Sequence, residues 1–286
     1  MWLCKSLELM NISLLFYTFF VSSVKVISLS FVVSPIYFFN VLACLGQTVQ
    51  GSYIIHGKKA PANSMQYMVS LQNKWGHVCG GFMVRGDIVV TAAHCAEDEP
   101  KRVVLGTHKL SENYMSLNIE YFCKFPTYKS VGFGADIMLL KLSKEVPLNN
   151  RVKIIPLPTS SKANLRDGQI CSVAGWGQTG TNFPMVDDLR VVNVSILNPQ
   201  LCREIWGSSF PSNVICAGGY DTDKGFCQGD SGGPLVCDGV AVGVVSFNRN
   251  FNCKYPDVPN VYTDISKYLP WINNVMNTKK FIKRNV

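Results

Sequence analysis

Three short stretches of the chain carry the side chains that nucleophilic hydrolysis needs: TAAHC contains His94, GADIMLLKL contains Asp136, and GDSGGP contains Ser231. A serine hydroxyl is a poor nucleophile at neutral pH and needs a base within hydrogen-bonding distance. Histidine can serve because its ordinary pKa of about 6.5 lets it take and return a proton, and a buried carboxylate can fix its tautomer. Taken alone, His94 could be structural and Asp136 could cap a strand. Together the three residues favour acyl transfer.

In the order His, Asp, Ser, these stretches resemble the chymotrypsin-like, or trypsin-like, serine proteases. Further matches over roughly residues 54–276 are IIHGKKA, CGGFMV, AGWG, ICAGG and NVYTDI. Among these proteases, the chain is most reminiscent of granule enzymes such as granzymes, mast-cell proteases and duodenases. The resemblance implies a serine endopeptidase that acts through an acyl-enzyme, with Ser231 as nucleophile, His94 as general base and then acid, and Asp136 as the orienting carboxylate.

The residues just before the serine have implied roles of their own. By resemblance, the backbone amides of Gly229 and Ser231 form the oxyanion hole, where the loss of one donor costs on the order of 10²–10³ in rate. Asp230 is expected to pair with a new α-amino group at Ile54, so the chain is expected to be a zymogen. Tyr53 precedes that cut instead of Lys or Arg. The preceding GSY resembles a signal-peptidase site followed by a granule-protease dipeptide that a dipeptidyl peptidase would remove.

The family sets its main substrate specificity at three positions that fall here on Gly225, Asn248 and Asn260. Gly225 carries no carboxylate, so Arg or Lys before the scissile bond (the P1 residue) has no ion-pair partner. The two asparagines replace glycines and Phe226 follows Gly225, which predicts a narrowed pocket for small or medium P1 side chains. Alternatively, Phe226 packs in the core and the asparagines turn outward. The other pocket residues implied by the resemblance are Gln228, Ser246 and Phe247.

Eleven cysteines indicate an oxidising compartment with several disulfides. No CxxC pair occurs, which argues against structural zinc. The resemblance implies the bridges Cys79–Cys95, Cys171–Cys237, Cys202–Cys216 and Cys227–Cys253, leaving Cys123 unpaired. The Cys227–Cys253 bridge flanks the pocket and is missing from most granzyme B-like and chymase-like proteases, so the chain lies outside that subgroup.

No cofactor or metal is expected at the site. Relatives that bind calcium use paired acidic residues in the loop after LG, whereas LGTHKLSENY offers only Glu112. The sequence Asn193-Val194-Ser195 is a glycosylation sequon. Whether Asn193 is modified is left open by the sequence.

Short β-like runs separated by Gly and Pro must position these residues, which predicts an all-β sandwich or barrel. The resemblance narrows this to two six-stranded antiparallel β-barrels with a C-terminal α-helix: barrel one at about 54–155, barrel two at about 170–265, the helix at about 266–276 and a basic tail at 277–286. Residues 155–169 read as the linker between the barrels. Strands are predicted at 67–71, 81–84, 88–91, 103–105, 137–142, 172–174, 189–197, 240–246 and 260–263.

The first 53 residues are read as a leader and short propeptide, because they are apolar from about residue 9 to residue 45. Three explanations stay open: a long cleaved signal peptide, a membrane anchor of about 20 apolar residues, and an artefact of the gene model. The first predicts a secreted, extracellular or granule-stored protein, and the second predicts a signal-anchored membrane form.

The net charge of +8 favours anionic partners. No block of five basic residues supports nucleic acid binding, so a proteoglycan or an ordinary basic surface is the expected explanation. Peptide or protein substrates, macromolecular serine protease inhibitors and a monomeric state are the other expectations. A protease-shaped binding protein without activity is the competing hypothesis, and the intact motifs disfavour it.

Overall fold

A computed structural model describes residues 54–160, 165–207, 210–256, 258–278 and 281–283. The predicted leader and propeptide, residues 1–53, lie outside these ranges. None of the helices within the described ranges has the length and apolar character needed to cross a membrane.

The first half of the described chain forms a closed barrel of six antiparallel strands. The strands are β2 (Met68–Asn73), β3 (Gly76–Arg85), β4 (Ile88–Thr91), β5 (Arg102–Leu105), β6 (Met115–Lys124) and β7 (Met138–Leu142). They follow the order β6-β5-β2-β3-β4-β7, and pairing of β6 with β7 closes the barrel. Inward-facing apolar side chains fill its interior, including Leu71, Phe82, Val90 and Leu140.

The second half forms another six-stranded antiparallel sheet. Its strands are β8 (Ile170–Gly175), β9 (Arg190–Ser195), β10 (Val214–Cys216), β11 (Pro234–Cys237), β12 (Val240–Phe247) and β13 (Val261–Asp264). They follow the order β9-β8-β11-β12-β13-β10. The two outer strands meet at a bridge between Ile196 and Ala217, where the Leu197 amide donates to the Cys216 carbonyl at 2.9 Å. The all-β fold of the sequence prediction is therefore confirmed.

Two short strands extend these sheets: β1 (Lys58–Lys59) pairs with β9, and β14 (Ile282–Lys283) pairs with β6. The strand β14 lies in the segment that the sequence shows only as a basic tail. Strands β10 and β11 were not among the predicted strands, and neither was β6. Its polar residues, such as Asn118 and Glu120, alternate with buried Leu117 and Ile119, so no continuous apolar run marks it.

The predicted C-terminal helix is present as α2 (Leu269–Thr278). It begins later than predicted because Asp264 accepts from the Ser266 amide and caps a 3₁₀ turn over Ile265–Lys267 first. A second helix, α1 (Pro199–Trp206), was not predicted. Its signals are local: Asn198 caps its start and Pro199 stands at the first position.

All four implied disulfides are present: Cys79–Cys95, Cys171–Cys237, Cys202–Cys216 and Cys227–Cys253. Among the described cysteines, only Cys123 on β6 is free; it is half-buried, and burial raises the pKa of its thiol. Asn193 of the sequon is exposed on β9, and its glycosylation stays a prediction.

A charge cluster ties the first barrel to helix α2. Arg85 donates from Nε to Asp87 Oδ1 at 2.6 Å, and Lys141 Nζ lies 2.8 Å from Asp87 Oδ2. Arg85 also donates to the Met276 carbonyl in α2 at 3.2 Å. Burial works to raise the pKa of Asp87, but hydrogen bonds and positive charge from Arg85 and Lys141 outweigh it, and the pKa lies below its usual value.

We predict that Asp87→Asn lowers the free energy of unfolding by about 1–3 kcal/mol at pH 7, because two cations lose their counter-charge. Since the folded-state pKa of Asp87 is depressed, this contribution is complete above the ordinary carboxyl pKa near 4 and is lost as the pH falls through the lowered value. Urea unfolding at pH 7 and about pH 3 measures it. The exposed Asp167→Asn variant is the control, and an equal loss at both pH values would contradict the prediction.

Candidate active site

His94 and Asp136 meet because their strands are antiparallel neighbours. His94 lies in a 3₁₀ turn (Ala93–Ala96) just after β4, and Asp136 lies just before β7. Thr91 at the end of β4 pairs with Met138 at the start of β7, so the two loops emerge at the same end of the barrel. The His94 imidazole Nδ1 lies 2.7 Å from Asp136 Oδ2, and the His94 amide donates to Asp136 Oδ1 at 2.9 Å.

The Asp136 carboxylate is fully buried yet well supplied with donors. Besides the two contacts from His94, Ser246 donates its hydroxyl to Asp136 Oδ2 at 2.6 Å. Thr263 donates to the Asp136 backbone carbonyl at 2.9 Å. Both of these donors belong to the second sheet, so Asp136 is bonded to both halves of the fold, through its carboxylate by Ser246 and through its backbone carbonyl by Thr263.

The charge of Asp136 sets the protonation of the pair. Burial works to raise the pKa of Asp136, but the His94 charge and hydrogen bonds from His94 and Ser246 outweigh it and lower that pKa. Burial likewise works to lower the pKa of His94, but the charge of Asp136 and the hydrogen bond to it raise that pKa above the usual value. The charges of Glu97 and Asp98 add to this increase. The pair is therefore arranged to stabilise an imidazolium.

Ser231 is held against the first barrel by the turn that carries it. The Gly80 amide donates to the Ser231 carbonyl at 2.8 Å, which joins β3 to this turn. Gly232 follows with φ +81°, and a Cβ there would collide with Thr91 Oγ1 and with the Gly80 carbonyl, so the turn requires glycine at this position. Ser231 and His94 line one cleft of about 530 Å³.

The backbone at Gly229 is oriented by two hydrogen bonds. The Gln178 amide donates to the Gln228 carbonyl at 2.7 Å, and Gly229 has φ +92°. In a trans peptide the N–H points away from the preceding carbonyl, so the Gly229 N–H is directed away from Gln178. His77 Nε2 donates to the Gly229 carbonyl at 2.9 Å.

His77 is a residue of the site that the motifs did not reveal. Its Nδ1 accepts from the Ser70 hydroxyl at 2.8 Å. Burial lowers the pKa of His77 to about 4, against a raising effect of the Gly229 contact, so the ring is neutral near pH 7. Only the folded chain brings it to Gly229, 152 residues away.

Asp230 is a buried carboxylate whose hydrogen bonds come from two backbone amides. Cys227 N donates to Oδ2 at 2.8 Å and Gly177 N donates to Oδ1 at 2.9 Å. Burial raises the pKa of Asp230 to about 7, against the lowering effect of these two bonds. Ile54 is also fully buried, in the core of the second sheet, and Ile55 forms a bridge with Gly225.

The predicted pocket residues separate into two groups. The cleft is lined by Phe226, Gln228, Ser246, Phe247 and Asn248. Gly225 and Asn260 are buried and do not line it.

The side-chain directions at the pocket were left open by the sequence. The Asn260 side chain points into the protein interior and away from the cleft, and its Oδ1 accepts from the Phe226 amide at 3.1 Å. Phe226 is 3% exposed and packs edge-on against Tyr262, although it also lines the cleft. Asn248 donates to the Tyr255 hydroxyl at 3.1 Å. Tyr255 was not identified from the sequence.

Among the described residues, the one group that could gather metal ligands is Cys79, His94 and Cys95. Its two sulfurs form a disulfide, so they cannot act as thiolate ligands. Glu112 accepts a hydrogen bond from Thr107 at 3.2 Å.

The chain is similar in sequence to known serine proteases. The family model described as Trypsin matches residues 54–272. Duodenase-1 of Bos taurus is 39% identical over 84% of this chain and 95% of its own length. Mast cell protease 3 of Ovis aries is 37% identical over 85% of this chain and 97% of its own length. Chymotrypsin-like elastase family member 1 of Rattus norvegicus is 36% identical over 78% of this chain and 89% of its own length.

The acidic residues beside His94 generate a pH prediction. Glu97→Gln with Asp98→Asn should lower the pKa of His94, because two charges that raise it are removed. A base must be neutral to accept a proton, so the acid limb of kcat/KM should move to lower pH while the plateau stays within about two-fold. Ester hydrolysis followed from pH 4 to pH 9 measures the shift. Glu99→Gln, at a residue that does not line the cleft, should leave the limb in place; a limb unmoved by the double variant would contradict the prediction.

Proposed function

Because the chain belongs to the trypsin family of serine proteases, we propose that it is a secreted or granule-stored endopeptidase that cleaves after small or medium uncharged P1 residues. The observation that carries this proposal is the shared cleft: Ser231 and His94 line it together, and Asp136 holds His94 from behind at 2.7 Å.

The proposed reaction follows from these positions. The Ser231 hydroxyl attacks the scissile carbonyl while His94 Nε2 takes its proton, and Asp136 stabilises the imidazolium. The amides of Gly229 and Ser231 donate to the oxyanion. Collapse of this intermediate expels the amine, which receives the proton from His94, and leaves the acyl chain on Ser231. Water then repeats the sequence and releases the carboxylic acid and the free serine.

Activation by cleavage before Ile54 is proposed from the state of Asp230. Within the described chain this fully buried carboxylate accepts from two neutral N–H donors, which leaves it costly as an anion, and its pKa is raised to about 7. A positive charge delivered beside it would stabilise the anion and the turn that carries Gly229 and Ser231. The α-ammonium group of Ile54 would supply that charge, since Ile54 is already buried in the same half of the fold.

The P1 preference is proposed from the uncharged and filled base of the pocket. Gly225 supplies no carboxylate for Arg or Lys. Phe226 and Asn248 line the cleft. One similar protein is named an elastase, and two are named for duodenum or mast cells.

Secretion and the remaining partners are also proposed. Four disulfides suit an oxidising compartment. The net charge of +8 suits a sulfated proteoglycan. Macromolecular protease inhibitors would bind in the same cleft as substrate, and the enzyme would act as a monomer.

All described strands and helices lie within residues 54–283, so protein released at Ile54 from an N-terminal fusion contains every one of these elements. We predict that this protein cleaves a peptide library preferentially after small or medium uncharged residues, as mapped by mass spectrometry. Ser231→Ala should reduce kcat by a factor on the order of 10⁴ or more. Equal cleavage by both proteins would exclude the proposed function, and dominant cleavage after Lys or Arg would exclude the proposed preference.

Asp230→Asn should lower the kcat/KM of the Ile54-started enzyme by about 10²–10³-fold, because the buried ammonium group then lacks its counter-charge. A form that retains Tyr53 should be slow with either residue at position 230. The measurement compares kcat/KM for the four proteins on one peptide ester. Full activity of the Ile54-started Asp230→Asn enzyme would rule out the activation proposal.

A further inference from the structure

The space at the base of the primary pocket is already filled by protein. A Cβ built on Gly225 would lie 2.6 Å from Tyr255 Cε2 and 3.1 Å from Tyr255 Cζ, and it would also collide with Asn260 Oδ1. Carbon atoms that are not bonded to each other rest about 3.5–4.0 Å apart. The glycine therefore does not leave a deep open pocket, because Tyr255 and Asn260 occupy the volume where a side chain at position 225 would stand.

The Tyr255 ring is fixed at its polar end. Its hydroxyl donates to the Phe226 carbonyl at 2.8 Å and accepts from Asn248 Nδ2 at 3.1 Å. Asn248 Nδ2 also donates to the Asn252 carbonyl at 3.1 Å. The hydroxyl of Tyr255 thus connects Phe226 and Asn248, two residues that line the cleft.

The rest of the ring is fixed by packing. Tyr255 is half-buried against Ile55, Cys227 and Cys253. The last two form the disulfide beside the pocket, and Ile55 bridges to Gly225. The Tyr255 ring is therefore held in one position by its packing against these residues and by the two hydrogen bonds of its hydroxyl.

The shape of the cleft agrees with a filled base. Its lining includes Phe226 and Asn248 but none of Gly225, Tyr255 and Asn260. Two of the residues that line the cleft, Phe226 and Asn248, are therefore the ones to which the Tyr255 hydroxyl is bonded.

We propose that Tyr255 is a specificity-determining residue: its ring plugs the primary pocket from below and restricts P1 to small or medium side chains. The inference rests on the proposed proteolytic function and names the residue responsible for its selectivity. An aromatic P1 side chain can enter only if the ring leaves, which breaks both hydrogen bonds of its hydroxyl. The lost charge at position 225 is then a secondary feature, because even an uncharged P1 ring finds no room.

The experiment compares peptide esters that differ only in Ala or Phe at P1, with enzyme released at Ile54. In Tyr255→Ala, the ratio of kcat/KM for Phe over Ala should rise about 10–100-fold, the range that removal of a few buried carbon atoms produces in enzyme pockets. Tyr255→Phe keeps the ring and should stay within about three-fold of wild type. Tyr114→Ala, which removes a partly exposed tyrosine in the other half of the fold, is the matched control.

A rescue measurement tests whether Tyr255→Ala changes specificity because the volume of the ring is lost or because the pocket becomes less rigid. Truncation to alanine leaves a space the size of a phenol ring, and an apolar cavity of about 150 Å³ is known to take up benzene. Millimolar 4-methylphenol should therefore restore the preference for Ala in Tyr255→Ala. In the wild type it should not compete with the Ala substrate, and competitive inhibition there would overturn the proposal without any variant.

Labelling of Ser231 by a fluorophosphonate distinguishes failure of the proposed function from failure of the proposed role of Tyr255. Ser231→Ala, which lacks the nucleophile, is the negative control. If the wild type is labelled no more than this control, the proposed function itself fails. If Tyr255→Ala is labelled but its Phe-to-Ala ratio matches wild type, the role of Tyr255 is overturned and the proposed function stands. Should the alanine variant not fold, Tyr255→Leu replaces it with an expected rise of about 3–10-fold, and an unchanged ratio again overturns the role.

Discussion

The buried carboxylate of Asp136 is the constraint on which the arrangement of this molecule depends. A charge removed from water is tolerated only when donors surround it, and here the donors come from both halves of the fold. His94 donates to the carboxylate from the first barrel and Ser246 donates to it from the second sheet, while Thr263 of the second sheet donates to the backbone carbonyl of the same residue. Any displacement of one half against the other would leave the carboxylate undersupplied. The position of the imidazole and the packing of the two sheets are therefore fixed by the same set of hydrogen bonds.

Specificity and chemistry are separated within one short segment. At Gly229 and Gly232 the backbone makes close approaches that leave no room for a side chain, such as that of Gly232 to Thr91. Just before them, Gly225 is small for a different reason, because Tyr255 and Asn260 take the room above it. One glycine serves the geometry of the reaction and the other accommodates neighbouring side chains. The segment can thus keep its reactive part while its selective part changes.

The parts of the site that were predictable from sequence are those carried by local motifs. His94, Asp136 and Ser231 each lie in a short stretch with fixed neighbours, and the antiparallel pairing of β4 with β7 brings the first two together. Their catalytic roles stay predictions. His77 and Tyr255 could not be found this way, since each acts through a contact made only by the folded chain, to Gly229 and Phe226 respectively. Strand β6 and helix α1 were missed for lack of a long apolar run, although the Asn198-Pro199 start of α1 was readable.

The four disulfides have a topological consequence, because each closes a loop within one half of the fold: Cys79–Cys95 in the first, the others in the second. Within the described part of the chain, covalent continuity between the halves thus depends on the backbone that connects them across residues 155–169. A single proteolytic cut there would yield two separate polypeptides even without a reducing agent. They would stay associated through helix α2, which is attached to the second half but buries Leu269, Ile272 and Val275 in the core of the first.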